Sequence, residues 1–149
     1  MGVAQSFVVG DASLPQHILI ATQGSPFKDA LVAGIVDYLR PRGVYVKIID
    51  VTALPTIQPR DWTGIVVVNT WEFHKPQADA KAFIDHVEDR NKLIVIMTSG
   101  SGQAKIPGVD VISAASVVSD VPARLAQITP RLDAVLADRA TARPTPSTF

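Results

Sequence analysis

The chain reads as one α/β domain built on a central parallel sheet, and three observations predict this. Five short runs are continuous and rich in β-branched residues instead of alternating, the pattern of strands covered on both faces. Amphipathic helical patterns lie between them, joined by short connections. The chain is one domain long, 149 residues, with 47% hydrophobic and 19% charged residues. A chain of that length can bury about 70% of the surface its unfolded form exposes.

The expected strands are His17 to Thr22, Val44 to Val51, Ile65 to Asn69, Leu93 to Thr98 and Val109 to Ser113. In a doubly wound sandwich they would lie in the order 2-1-3-4-5. The first helix is marked by Phe27, Leu31, Ile35 and Leu39 at four-residue spacing, widened by Val32 and Val36. Ser25 can cap it, Pro26 suits its first turn, and Pro41-Arg-Gly43 ends it. A second helix is expected from near Pro76, with Ala80, Phe83, Ile84 and Val87 on one face. The last starts near Asp120 and carries Leu125, Ile128, Leu132, Val135 and Leu136. Pro130 is expected to kink or split it, because the ring removes a hydrogen bond and crowds the previous turn. Two connections are thin. Ala53 to Thr63 has room for one turn of helix, and Gly100 to Gly108 is too short for a crossover helix. The fifth strand therefore either pairs differently or follows a bare loop.

Three regions are delimited: an N-terminal arm, 1–16, in which Ser6-Phe-Val-Val9 can add an edge strand; the domain, 17–140; and a tail, 141–149, expected to be disordered. Lys plus Arg equals Asp plus Glu, 14 each, which leaves no global field for nucleic acid or anionic lipid. The longest apolar runs, Ile65 to Val68 and Leu93 to Met97, are too short to span a bilayer. Residues 1–10 carry no Lys or Arg and do not read as a signal peptide. The compartment stays open: the cytoplasm is favoured, and a trimmed leader or anchor is compatible. With no cysteine, disulfides, thiolate nucleophiles and cysteine-ligated metals are excluded.

The carboxyl ends of parallel strands share one edge, where ligands bind. Three polar junctions fall there. In the first, Ala21-Thr-Gln-Gly-Ser-Pro-Phe-Lys28, the candidates are Thr22, Gly24, Ser25 and Lys28, with helix N-terminal N–H groups able to cradle a phosphate or carboxylate. The plainer reading is that Ser25 and Pro26 only cap and start a helix, and Asp29 opposes an anion. The second junction contains Thr70 and Trp71, followed by Glu72, Phe73, His74 and Lys75. Its aromatic pair can line a pocket for a planar ligand or simply cover the sheet edge. Glu72 and His74 are a minority acid/base candidate. The third holds Ser99, Gly100, Ser101 and Gly102, whose backbone can approach a ligand closely or form an ordinary turn, with Lys105 nearby. His17 and His86 have no partner at metal-ligand spacing, and no metal site is expected. Walker, Gly-x-Gly-x-x-Gly and Gly-x-Ser-x-Gly patterns are absent, although Asp50 ends a strand where a ribose-binding acid would sit.

Ile18-Leu-Ile-Ala-Thr-Gln-Gly-Ser-Pro-Phe-Lys28 resembles the opening of the flavodoxin-like superfamily, nearest to its NADPH-dependent FMN reductase branch. Asp61-Trp-Thr-Gly-Ile-Val-Val-Val-Asn-Thr-Trp71 resembles the third strand and its aromatic loop. Lys81-Ala-Phe-Ile-Asp85 is similar to the helix that follows, and Asn91-Lys-Leu-Ile-Val-Ile-Met-Thr-Ser-Gly100 to the fourth strand. The likeness covers about Gln16 to Gly102. It implies a flavodoxin-like three-layer sandwich with FMN as cofactor and an NAD(P)H-dependent FMN oxidoreductase-like activity, with no residue singled out as catalytic. Ser25 and Lys28 would meet the phosphate, Trp71 the isoalloxazine, and Ser99 to Gly102 its pyrimidine side. Such proteins often dimerise beside the flavin. The chain departs from the pattern at Phe27 and at Asp29-Ala-Leu31, which cannot donate to phosphate through their side chains, and it lacks Thr-x-Thr-Gly-x-Thr. Two functions are therefore carried forward: an FMN-binding redox domain, and a flavin-free domain binding a small planar or anionic ligand or a protein partner.

Overall fold

Along β2 (His17–Thr22) side chains alternate between two apolar layers, Ile18 and Ile20 facing one and Leu19 and Ala21 the other. That alternation, with every residue after His17 buried, explains why the strand reads as continuously apolar. In the computed structural model, which describes residues 3–72, 75–99 and 110–142, the same alternation between the two layers runs through β3 (Tyr45–Asp50), β4 (Gly64–Glu72) and β6 (Leu93–Thr98). The first layer is closed by α1 (Pro26–Leu39) and α3 (Val121–Ala142) through Leu31, Ile35, Ile128 and Leu132. The second is closed by α2 (Ala78–His86) and the 3-10 segment Val51–Thr56 through Phe83, Ile84 and Leu54.

The sheet is six-stranded and mixed, in the order β1-β3-β2-β4-β6-β7, with β1 at Phe7–Val9 and β7 at Val111–Ala114. This corrects the expected sheet of five parallel strands by adding a sixth at one edge; within it the expected order 2-1-3-4-5 recurs as β3-β2-β4-β6-β7. The segment Phe7–Val9 adds an antiparallel edge strand on β3, pairing Phe7 with Ile48, while the pairs β3-β2, β2-β4, β4-β6 and β6-β7 are all parallel. A two-residue strand, β5 (Lys75–Pro76), returns antiparallel against the end of β4.

Three further expectations are adjusted. The third expected strand does not stop at Asn69; β4 continues to Glu72, well past the end of β2. Helix α2 begins at Ala78, because Pro76 is paired with Trp71 in the return strand. Pro130 does not split α3, which runs unbroken from Val121 to Ala142. Pro130 lies on the exposed side, where solvent is at hand for the carbonyl its ring deprives of a partner. After β3 there are only 3-10 turns, Val51–Thr56 and Pro59–Asp61. The connection before β7 and the tail beyond Ala142 lie outside the described residues.

Two glycines let α3 sit close. A Cβ on Gly34 would lie 2.5 Å from Leu125 Cδ1, and one on Gly64 would lie 2.6 Å from Val135 Cγ1. Among the described residues, no helix is long and apolar enough to cross a membrane.

Candidate functional site at the carboxyl edge of the sheet

Because β4 overshoots β2, its last residues rise above the turn that joins β2 to α1. Thr70 pairs with Thr98 on β6, and Thr22 with Asp50 on β3, so polar side chains from four strands finish on one edge. The backbone N–H of Thr70 donates to Gln23 Oε1 at 2.9 Å. Its hydroxyl lies 3.2 Å from that of Thr98 and accepts from Lys28 Nζ at 2.7 Å. One layer below, the Asn69 amide donates to the Ile96 carbonyl at 3.5 Å and accepts from the Gln77 N–H at 3.4 Å. The strands beneath it, Ile18–Ala21, Ile65–Val68 and Leu93–Met97, are apolar, so the network marks a sharp change of chemistry at this edge.

The position of Lys28 is the principal finding. It is fully buried, although it stands in the first turn of α1. Lys28 shares the helix face of Leu31, Val32 and Ile35, so its stem follows the apolar stripe inward and its ammonium surfaces among the strand-end hydroxyls. The sequence held this signal: Lys28 falls in phase with the apolar positions of α1.

Ser25 takes the role of an N-cap. Its backbone is extended (φ −169°, ψ 157°), and its hydroxyl accepts from the Lys28 N–H at 3.2 Å. The Asp29 N–H goes to the Ser25 carbonyl at 2.8 Å, and Pro26 has no N–H to offer. Phe27 alone keeps a first-turn N–H not directed to Ser25. Of the other candidates, Thr22 is buried, with its hydroxyl donating to the Gln23 carbonyl, and Gly24 is half-buried. Trp71 is half-buried and packs on the α2 side of the sheet. Ser99 is half-buried and its N–H donates to the Ala114 carbonyl at 2.9 Å. Gly100, Ser101, Gly102, Lys105, Phe73 and His74 lie outside the described residues, as does the side chain of Glu72.

Sequence reading passed over Gln23, Asn69 and Thr98, which build much of the network. Each is a polar residue at or just beyond the end of an apolar run, and that is the signal that could have found them. Asp50 is fully engaged and not free for a ribose. Its carboxylate accepts from the Ala4 N–H at 2.9 Å, from the Thr52 N–H at 3.0 Å and from the Thr52 hydroxyl at 2.6 Å. Burial pushes this carboxyl up, but the Thr52 hydroxyl, the Ala4 N–H and the Thr52 N–H together outweigh it and hold it below the usual aspartate value.

The bond from Ala4 to Asp50 also straps the N-terminal arm across the edge. Between the arm and α1 is an open cavity of about 380 Å³, lined by Val3, Phe7, Thr22, Gly24, Asp29 and Val32 among others. The first junction thus borders a hollow, and the charged side chain facing it is a carboxylate. No protein-family model matches this chain, and no curated protein is significantly similar to it.

Proposed function

We propose that the protein is a flavodoxin-like binding module that works without FMN and receives a small ligand at the carboxyl edge of its sheet. The observation that carries this reading is the inward course of Lys28. The one cation of the β2–α1 turn hydrogen-bonds Thr70 and is closed off from solvent, while Ser25 caps its own helix. A phosphate arriving at this turn would meet Asp29 and few unassigned donors. The strand-end hydroxyls and amides of Gln23, Thr70 and Thr98 instead give an edge suited to neutral polar groups.

A second reading, the FMN-binding redox domain, is favoured by one arrangement. Trp71, on the α2 side, follows Thr70 at the end of β4, and Thr98 and Ser99 close the neighbouring β6, so one aromatic and three hydroxyl residues share this stretch of the edge. In that reading the flavin ring supplies the redox chemistry, and the chain positions it.

One titration separates the two. Purified protein should be colourless, and FMN fluorescence should show no saturable quenching at high micromolar protein. Trp71 is one of two tryptophans, so a Trp62→Phe variant makes it the sole emission reporter at the edge. Saturable quenching of FMN that is matched by a change in Trp71 emission and weakened by Ser25→Asp would overturn the flavin-free reading and establish the second.

A further inference from the structure

On the face of the sheet opposite α1, the chain that follows β3 leaves a hollow against α2. This cavity, of about 450 Å³, has Leu54, Ile57, Pro59 and Phe83 as its apolar lining, with Asp79 and His86 among its polar residues. The volume is that of a pocket for a single small molecule. Leu54 and Phe83 belong to the core layer beneath, so the floor is fixed by packing. A second hollow of about 270 Å³ shares Gln58, Pro59 and His86 with the first and continues towards Arg60, Glu88 and Lys92.

The ionic and basic groups of the main cavity act as acceptors. His86 Nδ1 lies 2.9 Å from the Ala82 carbonyl, which can only accept, so Nδ1 carries the hydrogen. In the neutral ring Nε2 is then an acceptor. The Asp79 carboxylate takes one hydrogen bond, from Gln77 Nε2 at 3.3 Å, and among the described residues it makes no ion pair. Of the neighbouring cations, Lys81 pairs with Asp85, Lys92 donates to the Pro59 and Trp62 carbonyls, and Arg60 lines the second hollow but not the first.

An apolar floor with a carboxylate and an imidazole acceptor at its rim complements a particular ligand. We infer that this cavity binds a small organic ammonium ion, its ring-sized apolar body against Leu54, Ile57 and Phe83 and its charged head at Asp79. This site shares no lining residue with the hollow at the carboxyl edge, although Gln77 bonds both Asp79 and Asn69, and it stands whether or not that edge takes a ligand.

The test uses two probes with the same indole body and opposite charge, tryptamine and indole-3-propionate, titrated into the 15N-labelled full chain. Tryptamine should shift the amides of residues 54–59 and 79–86 saturably and bind roughly tenfold more tightly than the acid, as expected when attraction to a half-exposed carboxylate replaces repulsion. Asp79→Asn, a conservative change in a first helical turn, should erase that preference and keep the indole-dependent shifts. Equal binding of the two probes, a preference unchanged in Asp79→Asn, or no saturation at millimolar tryptamine would overturn the inference. So would tryptamine shifts centred on residues 22–28 and 70–71, which would place the ammonium at the carboxyl edge and leave the proposed function of that edge intact.

Discussion

Lys28 and Lys92 are both buried lysines, at opposite ends of the same sheet, yet they are held in different ways. At the amino end, Lys92 Nζ donates to the backbone carbonyls of Pro59 at 3.0 Å and Trp62 at 2.9 Å, tying down the chain that enters β4. Around it the His17 N–H donates to the Thr63 hydroxyl, and the rings of His17, Tyr45 and Trp62 pack together. At the carboxyl end, Lys28 Nζ donates to the Thr70 hydroxyl, itself beside that of Thr98. Carbonyls belong to every sequence, whereas hydroxyls and amides are chosen residue by residue. The amino end is thus organised to hold the chain in place. The carboxyl end is organised from exchangeable side chains, the condition for a site whose chemistry can vary while the fold stays.

The contrast predicts a ladder of effects. Lys92→Met should destabilise the protein by about 2–4 kcal/mol, because the buried Trp62 carbonyl loses its charged donor and the half-buried Pro59 carbonyl keeps only the Trp62 N–H; the urea midpoint reads this directly. Gly64→Ala, also at the amino end, should cost about 1–3 kcal/mol by pushing a methyl group against Val135 and Ile18. Lys28→Met should cost less than Lys92→Met, since it removes a buried charge while the Thr70 and Thr98 hydroxyls, 3.2 Å apart, can still bond each other. A Lys28→Met loss as large as that of Lys92→Met would break the comparison. The smallest effect concerns Asp50. Its carboxyl lies below the ordinary value of 3.8 in the folded protein, so it adds stability above that value and loses this contribution as pH falls through the lower folded value. Unfolding midpoints of the wild type and Asp50→Asn from neutral pH to pH 2 should therefore converge at the acid end.

Much of the fold was legible in the sequence, and the exceptions have physical reasons. The continuous apolar runs marked β2, β3, β4 and β6 because both faces of the sheet are covered. The extension of β4 beyond Asn69 was hidden by Thr70 and Glu72, polar residues that resemble loop. They are strand because β6 and the β5 return supply their backbone partners, which is tertiary information. The edge strand β1 was only an option, since three residues on an edge carry little pattern. At the candidate site the position of the edge was readable from strand ends. The direction of Lys28 was not read: it was expected at a phosphate cradle on the helix N-terminus, whereas its ammonium turns inward to Thr70.

The antiparallel run of β1 brings Val3 and Ala4 up beside Asp50, at the same edge as Thr70 and Thr98. A dye, affinity handle or fused partner attached ahead of residue 3 would emerge next to that edge and report on it, or obstruct it. Attachment after Ala142 would leave from the far end of α3, whose Leu132 and Val135 cover the first layer of the core.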